Sequence, residues 1–153
     1  KLKMDKFLYF RTVADVDNDD GQTNGATNPT SLCIPAKNIV SMAPASDTTL
    51  QIKFKPMRNG STGAGGASGE EVLNDSVTLT VNQHTHKNVV DALIGAINSN
   101  RLYTDGFIDV VDTVTTNLAD ATVSAIFFHP DITGVASYTS DTDATGFAVA
   151  EAL

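Results

Sequence analysis

The sequence predicts an α+β domain: a mostly antiparallel β-sheet with one principal helix, at about residues 87–98, packed on it. Three stretches carry that expectation. Thr49-Leu-Gln-Ile-Lys-Phe-Lys55 alternates Leu50, Ile52 and Phe54 with Gln51, Lys53 and Lys55, the period of a strand with one apolar and one wet face. Asp75-Ser-Val-Thr-Leu-Thr-Val81 alternates Val77, Leu79 and Val81 with Ser76, Thr78 and Thr80. Val89, Val90, Leu93, Ile94 and Ile97 then repeat at the spacing of one helix face.

In chain order, Phe7-Leu-Tyr-Phe-Arg-Thr-Val13 has the aromatic and β-branched content of a strand, one that lies in the sheet or reaches to a neighbouring subunit. The polar, Asp-rich stretch 15–30 follows, with Asn24-Gly25 and Asn28-Pro29, and reads as a long flexible loop. Ser31-Leu-Cys-Ile34 is a short strand stopped by Pro35, and Asn38–Ala43 is another. Pro44-Ala-Ser-Asp47 has turn chemistry, leading into the strand Thr49–Lys55. Stretch 58–70, rich in Gly and Ser, is a second flexible loop.

The centre of the chain, Asp75 to Asp112, reads strand, helix, strand. Thr85 sits where an N-cap belongs, Asn98-Ser-Asn100 suits a helix exit, and Phe107–Asp112 is the second strand. Ala121–Phe128 predicts a further strand with Val123, Ala125 and Phe127 on one face. His129-Pro-Asp131 turns the chain into a last strand, Ile132–Tyr138. The whole forms a single domain, 1–153, with terminal arms at 1–6 and 139–153; the second arm reads as a short helix or a segment that orders against a partner.

Composition narrows the function classes. The 153 residues suffice to bury a core without disulfides or a structural metal, and 41% are hydrophobic. Acidity comes almost wholly from Asp, with Glu only at 70, 71 and 151, and this Asp, Asn and Thr usage favours turns and strands over helices. Net charge is −8, and nucleic-acid affinity rests on cations that neutralise phosphates, so no nucleic-acid partner is expected. Lys1, Lys3 and Lys6, and Lys53, Lys55 and Arg58, read as solvated surface charge. No apolar run reaches membrane-span length and no signal-peptide core is visible, so no membrane partner is expected. The chain opens on Lys1 rather than Met, consistent with processing or with a start further upstream.

Few residues suggest chemistry. Cys33 is the only cysteine; flanked by Leu32 and Ile34, it reads as a small buried hydrophobe rather than a catalytic thiol. His84 and His86 would share one side of a strand continued past Val81, where a metal site, with His129 and Asp131, could be built; capping or solvated side chains at a strand–helix junction is the plainer reading. Asp15, Asp17 and Asp19 have the first, third and fifth spacing of a calcium loop, but Asp20 replaces its glycine and Ala26 its final glutamate. The Gly-rich loop lacks the lysine of a phosphate-binding loop and runs into Glu70-Glu71. No nucleophile elbow is present, so neither catalytic residues nor a cofactor or metal is assigned.

In the texture of three stretches, Ala36–Ser41 with Thr48–Lys55, Asp75–Val81 running into the His86–Ser99 helix, and Asp105–Asp112, the chain resembles the small virion structural proteins of marine tailed phages, cyanophages in particular. The three cover about half the chain, and no functional residue is carried over from them. The resemblance implies a non-enzymatic virion component that decorates or cements the capsid exterior. It would be a homo-oligomer whose partners are other virion proteins, the major capsid protein first among them. A cell-surface or secreted adhesion module is the alternative reading, and a small metal-dependent enzyme using His84, His86 and His129 the third.

Overall fold

The computed structural model describes residues 5–16, 31–55, 75–119 and 121–139. The remainder of the acidic loop, the Gly-rich loop and both chain ends (1–4 and 140–153) lie outside the described residues. The fold is α+β, with two four-stranded sheets and one principal helix.

The strands are Phe7–Arg11 (β1), Ser31–Pro35 (β2), Ile39–Ser46 (β3), Thr49–Phe54 (β4), Asp75–Val81 (β5), Phe107–Asp112 (β6), Ile126–Phe127 (β7) and Ile132–Thr139 (β8), with the helix His86–Asn98 (α1) between β5 and β6. One sheet has the order β2-β1-β6-β7 and the other β3-β4-β5-β8. Every described strand pairing is antiparallel except β1 with β6. The central strand–helix–strand unit is thus not a crossover within one sheet. Helix α1 carries the chain from the β4–β5 sheet to the β1–β6 sheet.

Alternation decides which side of each strand is buried. Leu8 and Phe10 of β1, Leu32 and Ile34 of β2, Leu50, Ile52 and Phe54 of β4, and Val77, Leu79 and Val81 of β5 all point into one continuous core. Each large aliphatic or aromatic side chain in it contributes about 1.5–3 kcal/mol on burial. Helix α1 covers that core with Val89, Leu93 and Ala96, while Val90 and Ile97 pack at its margin and Ile94 is exposed. The apolar stripe was legible, but Ala96, not Ile94, faces inward.

The seam between β1 and β6 is irregular. Tyr9 pairs with Asp109, yet Phe10 pairs with Val111, so β6 carries an extra residue at Val110. Val110 and Val111 are both fully buried, and Asp112 returns to the side of Arg11.

Several local expectations change. Strand β3 runs through Pro44 to Ser46, and the turn is Asp47-Thr48. Proline is tolerated because β3 is an edge strand, where a missing N–H costs no ladder bond on the open side. The turn is closed by the Ser46 and Thr49 hydroxyls, 2.7 Å apart. Strand β1 ends at Arg11 rather than Val13. Of the strand expected over Ala121–Phe128, only Ile126–Phe127 pairs in a sheet. Before it the chain runs back along 115–117, with a Thr116–Thr122 bridge and a Val123 N–H donated to the Thr115 carbonyl. Phe127 is exposed, while Val123 and Ala125 are half-buried.

Candidate functional site

The histidines are held apart in role. Strand β5 stops at Val81, so His84 and His86 do not share a strand face; His84 is exposed with φ 63°, in the left-handed region. His86 opens α1, and its Nε2 lies 2.8 Å from the Ser46 carbonyl and 3.1 Å from the Thr49 carbonyl. Carbonyls only accept, so Nε2 carries the hydrogen and the ring pins the helix start to the β3–β4 turn. Thr85 occupies the N-cap position without capping; its hydroxyl donates instead to the Asn82 carbonyl at 2.7 Å.

His129 Nδ1 accepts the Asp131 N–H at 3.1 Å. That bond uses the Nδ1 lone pair, so the Asp131 carboxylate 3.6 Å away is a neighbour rather than a hydrogen-bonded ion partner. Asp131 accepts from Asn82 Nδ2 at 3.2 Å and Asn88 Nδ2 at 3.3 Å, tying the β5–α1 connection and the helix to the turn before β8. These side chains are structural fasteners. Among the described residues no three His, Cys, Asp or Glu side chains form a metal-ligand group, and no helix is long and apolar enough to cross a membrane. Of the acidic loop's carboxylates only Asp15 is described, in a backbone bridge with Thr116; Asp17, Asp19 and Asp20 lie outside the described residues, as do Glu70 and Glu71.

Cys33 is exposed, which corrects the expectation of a buried side chain. On a strand Leu32 and Ile34 share the inner face and the residue between them must point out. Partial desolvation raises its thiol pKa, which lowers the thiolate fraction and makes it a poor nucleophile.

A concave feature of the described surface lies elsewhere, where β1 and β6 end beside β7. A groove of about 450 Å³ is lined by the apolar side chains of Val16, Val114, Leu118, Val123 and Ile126, with Arg11 and Asp112 as its charged members. Leu118 is 82% exposed and Ile126 50%. Leu118 rides on a turn fixed by Asn117, whose Oδ1 accepts the N–H groups of Ala119 at 3.0 Å and Ala121 at 3.1 Å. Its exposure is therefore built into a tight local structure.

Arg11 meets Asp112 through two parallel bonds, Nε to Oδ1 at 3.0 Å and Nη2 to Oδ2 at 2.7 Å. Asp112 Oδ1 also accepts the Val114 N–H at 3.1 Å, which aligns the carboxylate. Asp109 lies close by on β6. Its carboxyl pKa is raised by desolvation first and by the negative charge of Asp112 second, with Arg11 opposing both. Its Oδ1 is buried without a hydrogen-bond partner among the described residues.

None of the candidate metal-ligating or thiol residues lines this groove. The signal that existed was β1 itself: Phe7, Tyr9 and Arg11 alternate with the core residues, so its outer face also carries large side chains. The pairing of Arg11 with Asp112, across 101 positions, had no local trace. Comparison of the chain with protein-family models, curated proteins and solved structures gives no match.

Proposed function

We propose that this chain is a non-enzymatic structural protein of a phage virion, a capsid decoration or cement protein that binds other virion proteins, the major capsid protein first among them, as a homo-oligomer. The observation that supports it is the apolar groove with Leu118 and Ile126 exposed at its rim, next to an edge strand of only two residues. Such an open apolar surface beside a sheet edge suits contact with a large partner. His86, His129 and Asp131 engage backbone and amide groups, in keeping with a role in holding the fold. The resemblance of the three sequence stretches points the same way.

The test is co-sedimentation of the purified chain with capsid particles of the phage that carries its gene, with light scattering of the free chain in the presence and absence of EDTA. Saturable retention on particles and a defined oligomer indifferent to EDTA are expected. No retention on particles would overturn the capsid role.

A further inference from the structure

The edges of the two sheets are not alike. Among the described residues, β3 carries Pro44 and two register shifts against β4, and β8 carries two register shifts against β5. Strand β7 is two residues long. Bulges, proline and shortness all keep an edge from templating another strand. Strand β2 differs. All five of its residues pair with β1 without a register shift, and Ser31-Leu-Cys-Ile-Pro35 holds no charged side chain. Its proline stands at the strand's end.

The ladder fixes which backbone groups of β2 face outward. The Ala36 N–H donates to the Lys6 carbonyl at 2.8 Å, on the β1 side. Backbone directions alternate along a strand, so Leu32 and Ile34 also turn theirs to β1, and Ser31, Cys33 and Pro35 turn theirs to the open edge. The Phe7 N–H agrees: Phe7 is paired with Pro35, and it donates the other way, to the Gly106 carbonyl at 2.7 Å.

We propose that β2 is a dimer interface, in which two copies of the chain pair β2 antiparallel about a two-fold axis at Cys33 and join their sheets into one. This deepens the reading of the chain as a homo-oligomer, on which it rests. A two-fold contact sets each residue against one equally far from the axis. Leu32 then lies opposite the partner's Ile34 on the inner side, and Ser31 opposite the partner's Pro35. Each Cys33 N–H donates to the partner's Cys33 carbonyl, and each Ser31 N–H to the partner's Pro35 carbonyl. The N–H that Pro35 lacks is needed only at the end of the ladder, within reach of water. No charge in the strand faces its like, although the chain carries a net charge of −8. Just past Pro35, Lys37 is already held by Asp5 at 2.9 Å. An uncharged edge offers an acidic or basic strand no counter-charge, whereas a second β2 matches its length, pattern and neutrality.

Cys33 is the only cysteine, and it is exposed, so it reports on this pairing. At the axis the two Cys33 Cα atoms form a hydrogen-bonded pair about 5.5 Å apart. A disulfide spans Cα separations of about 4.4–6.8 Å.

The experiment is light scattering of the full chain over a range of concentrations under reducing conditions, joined to oxidation by diamide, which takes two electrons and two protons from a pair of thiols. A reversible dimer is expected. Within it, Cys33 should cross-link to the partner's Cys33 at a fractional rate independent of chain concentration once the dimer is saturated. Cys33→Ser should leave the dimer intact. Cys33→Lys sets like charges directly opposite and should raise the dimer dissociation constant at least about fivefold. High salt should shrink that loss, while circular dichroism shows the fold unchanged.

A chain that stays monomeric at every concentration would overturn the proposal, as would a trimer or a cross-linking rate that keeps rising with concentration. A dimer indifferent to Cys33→Lys would overturn it too, and would place the contact on another surface. The capsid role fails separately. A dimer through β2 without retention on particles supports the interface and sinks that role. A strict monomer retained on particles does the reverse.

Discussion

Lys6 shows how much one side chain can do at a distance. Its ammonium donates to the carbonyls of Ala96 at 2.6 Å, Ser99 at 2.5 Å and Leu102 at 2.9 Å, filling all three donor directions at the C-terminal end of α1. A cation there also complements the helix dipole. Lys6→Met keeps the aliphatic stem and removes the charge, and should cost about 2 kcal/mol in urea unfolding, since charged hydrogen bonds contribute about 1.5–3 kcal/mol. An unchanged midpoint would show that the three carbonyls are equally well served by water. Asp109 gives the opposite sign. Its folded-state pKa is raised, so the folded chain binds its proton more tightly than the unfolded chain does. The penalty is fully present above the folded pKa and is relieved as pH falls through it toward the unfolded value of about 3.9. Asp109→Asn should therefore stabilise at pH 7, by less than about 1 kcal/mol because solvent partly screens this half-buried group, one of whose carboxylate oxygens is fully buried. The advantage should shrink on acidification, and unfolding midpoints measured across that window check the sign.

Elements show where local patterning succeeds and where it falls short. Strand β5 and strand β6 have the bounds their alternation predicts, and α1 begins one residue before Lys87 and ends at Asn98 as expected. The helix stripe left its rotation open. Val89, Val90, Leu93, Ile94 and Ile97 all fit one broad face, and only packing selects Leu93 as fully buried while Ile94 stays 45% exposed. Leu93→Ala should then destabilise by about 2–5 kcal/mol. Ile94→Ala should change stability by no more than about 0.5 kcal/mol. Similar losses from both would mean that the helix sits differently on the sheets. The turn before β6 adds a demand that is easier to read: Gly106 has φ 79°, and a Cβ there would lie 2.8 Å from the Asp5 carbonyl oxygen. Its N–H donates to the Tyr103 carbonyl at 2.9 Å, and its carbonyl accepts from Phe7, which sets the start of β1 against β6.

At the scale of the whole molecule, both sheets and the helix feed one hydrophobic cluster, from Leu8 and Phe10 through Leu50 and Leu79 to Leu93 and Ile108. A shared core makes each sheet depend on the other. Denaturant unfolding followed by far-UV circular dichroism and by tyrosine fluorescence should accordingly give coincident transitions. Two separated transitions would show that the β3-β4-β5-β8 sheet holds together without its neighbour. The groove belongs to this scale too, since Arg11, Asp112, Leu118 and Ile126 meet there only after β6 has paired with β1 and with β7. The acidic loop and the histidine pair drew attention in the sequence because their residues are adjacent; the groove did not because its residues are scattered.

What the sequence determined by itself is the set of local periods: Leu50, Ile52 and Phe54 inward, Val77, Leu79 and Val81 inward, and a helix between β5 and β6. Those follow from geometry within a few residues, because strand alternation and helix pitch are local properties. Tertiary structure alone decided that the strands divide into two sheets, that β1 runs parallel to β6, and that Cys33 faces solvent while Val110 and Val111 both face the core. Alternation states which residues of a strand share a face. It carries no information about which strand lies alongside, and that choice is made by how the whole set of apolar faces closes on one core.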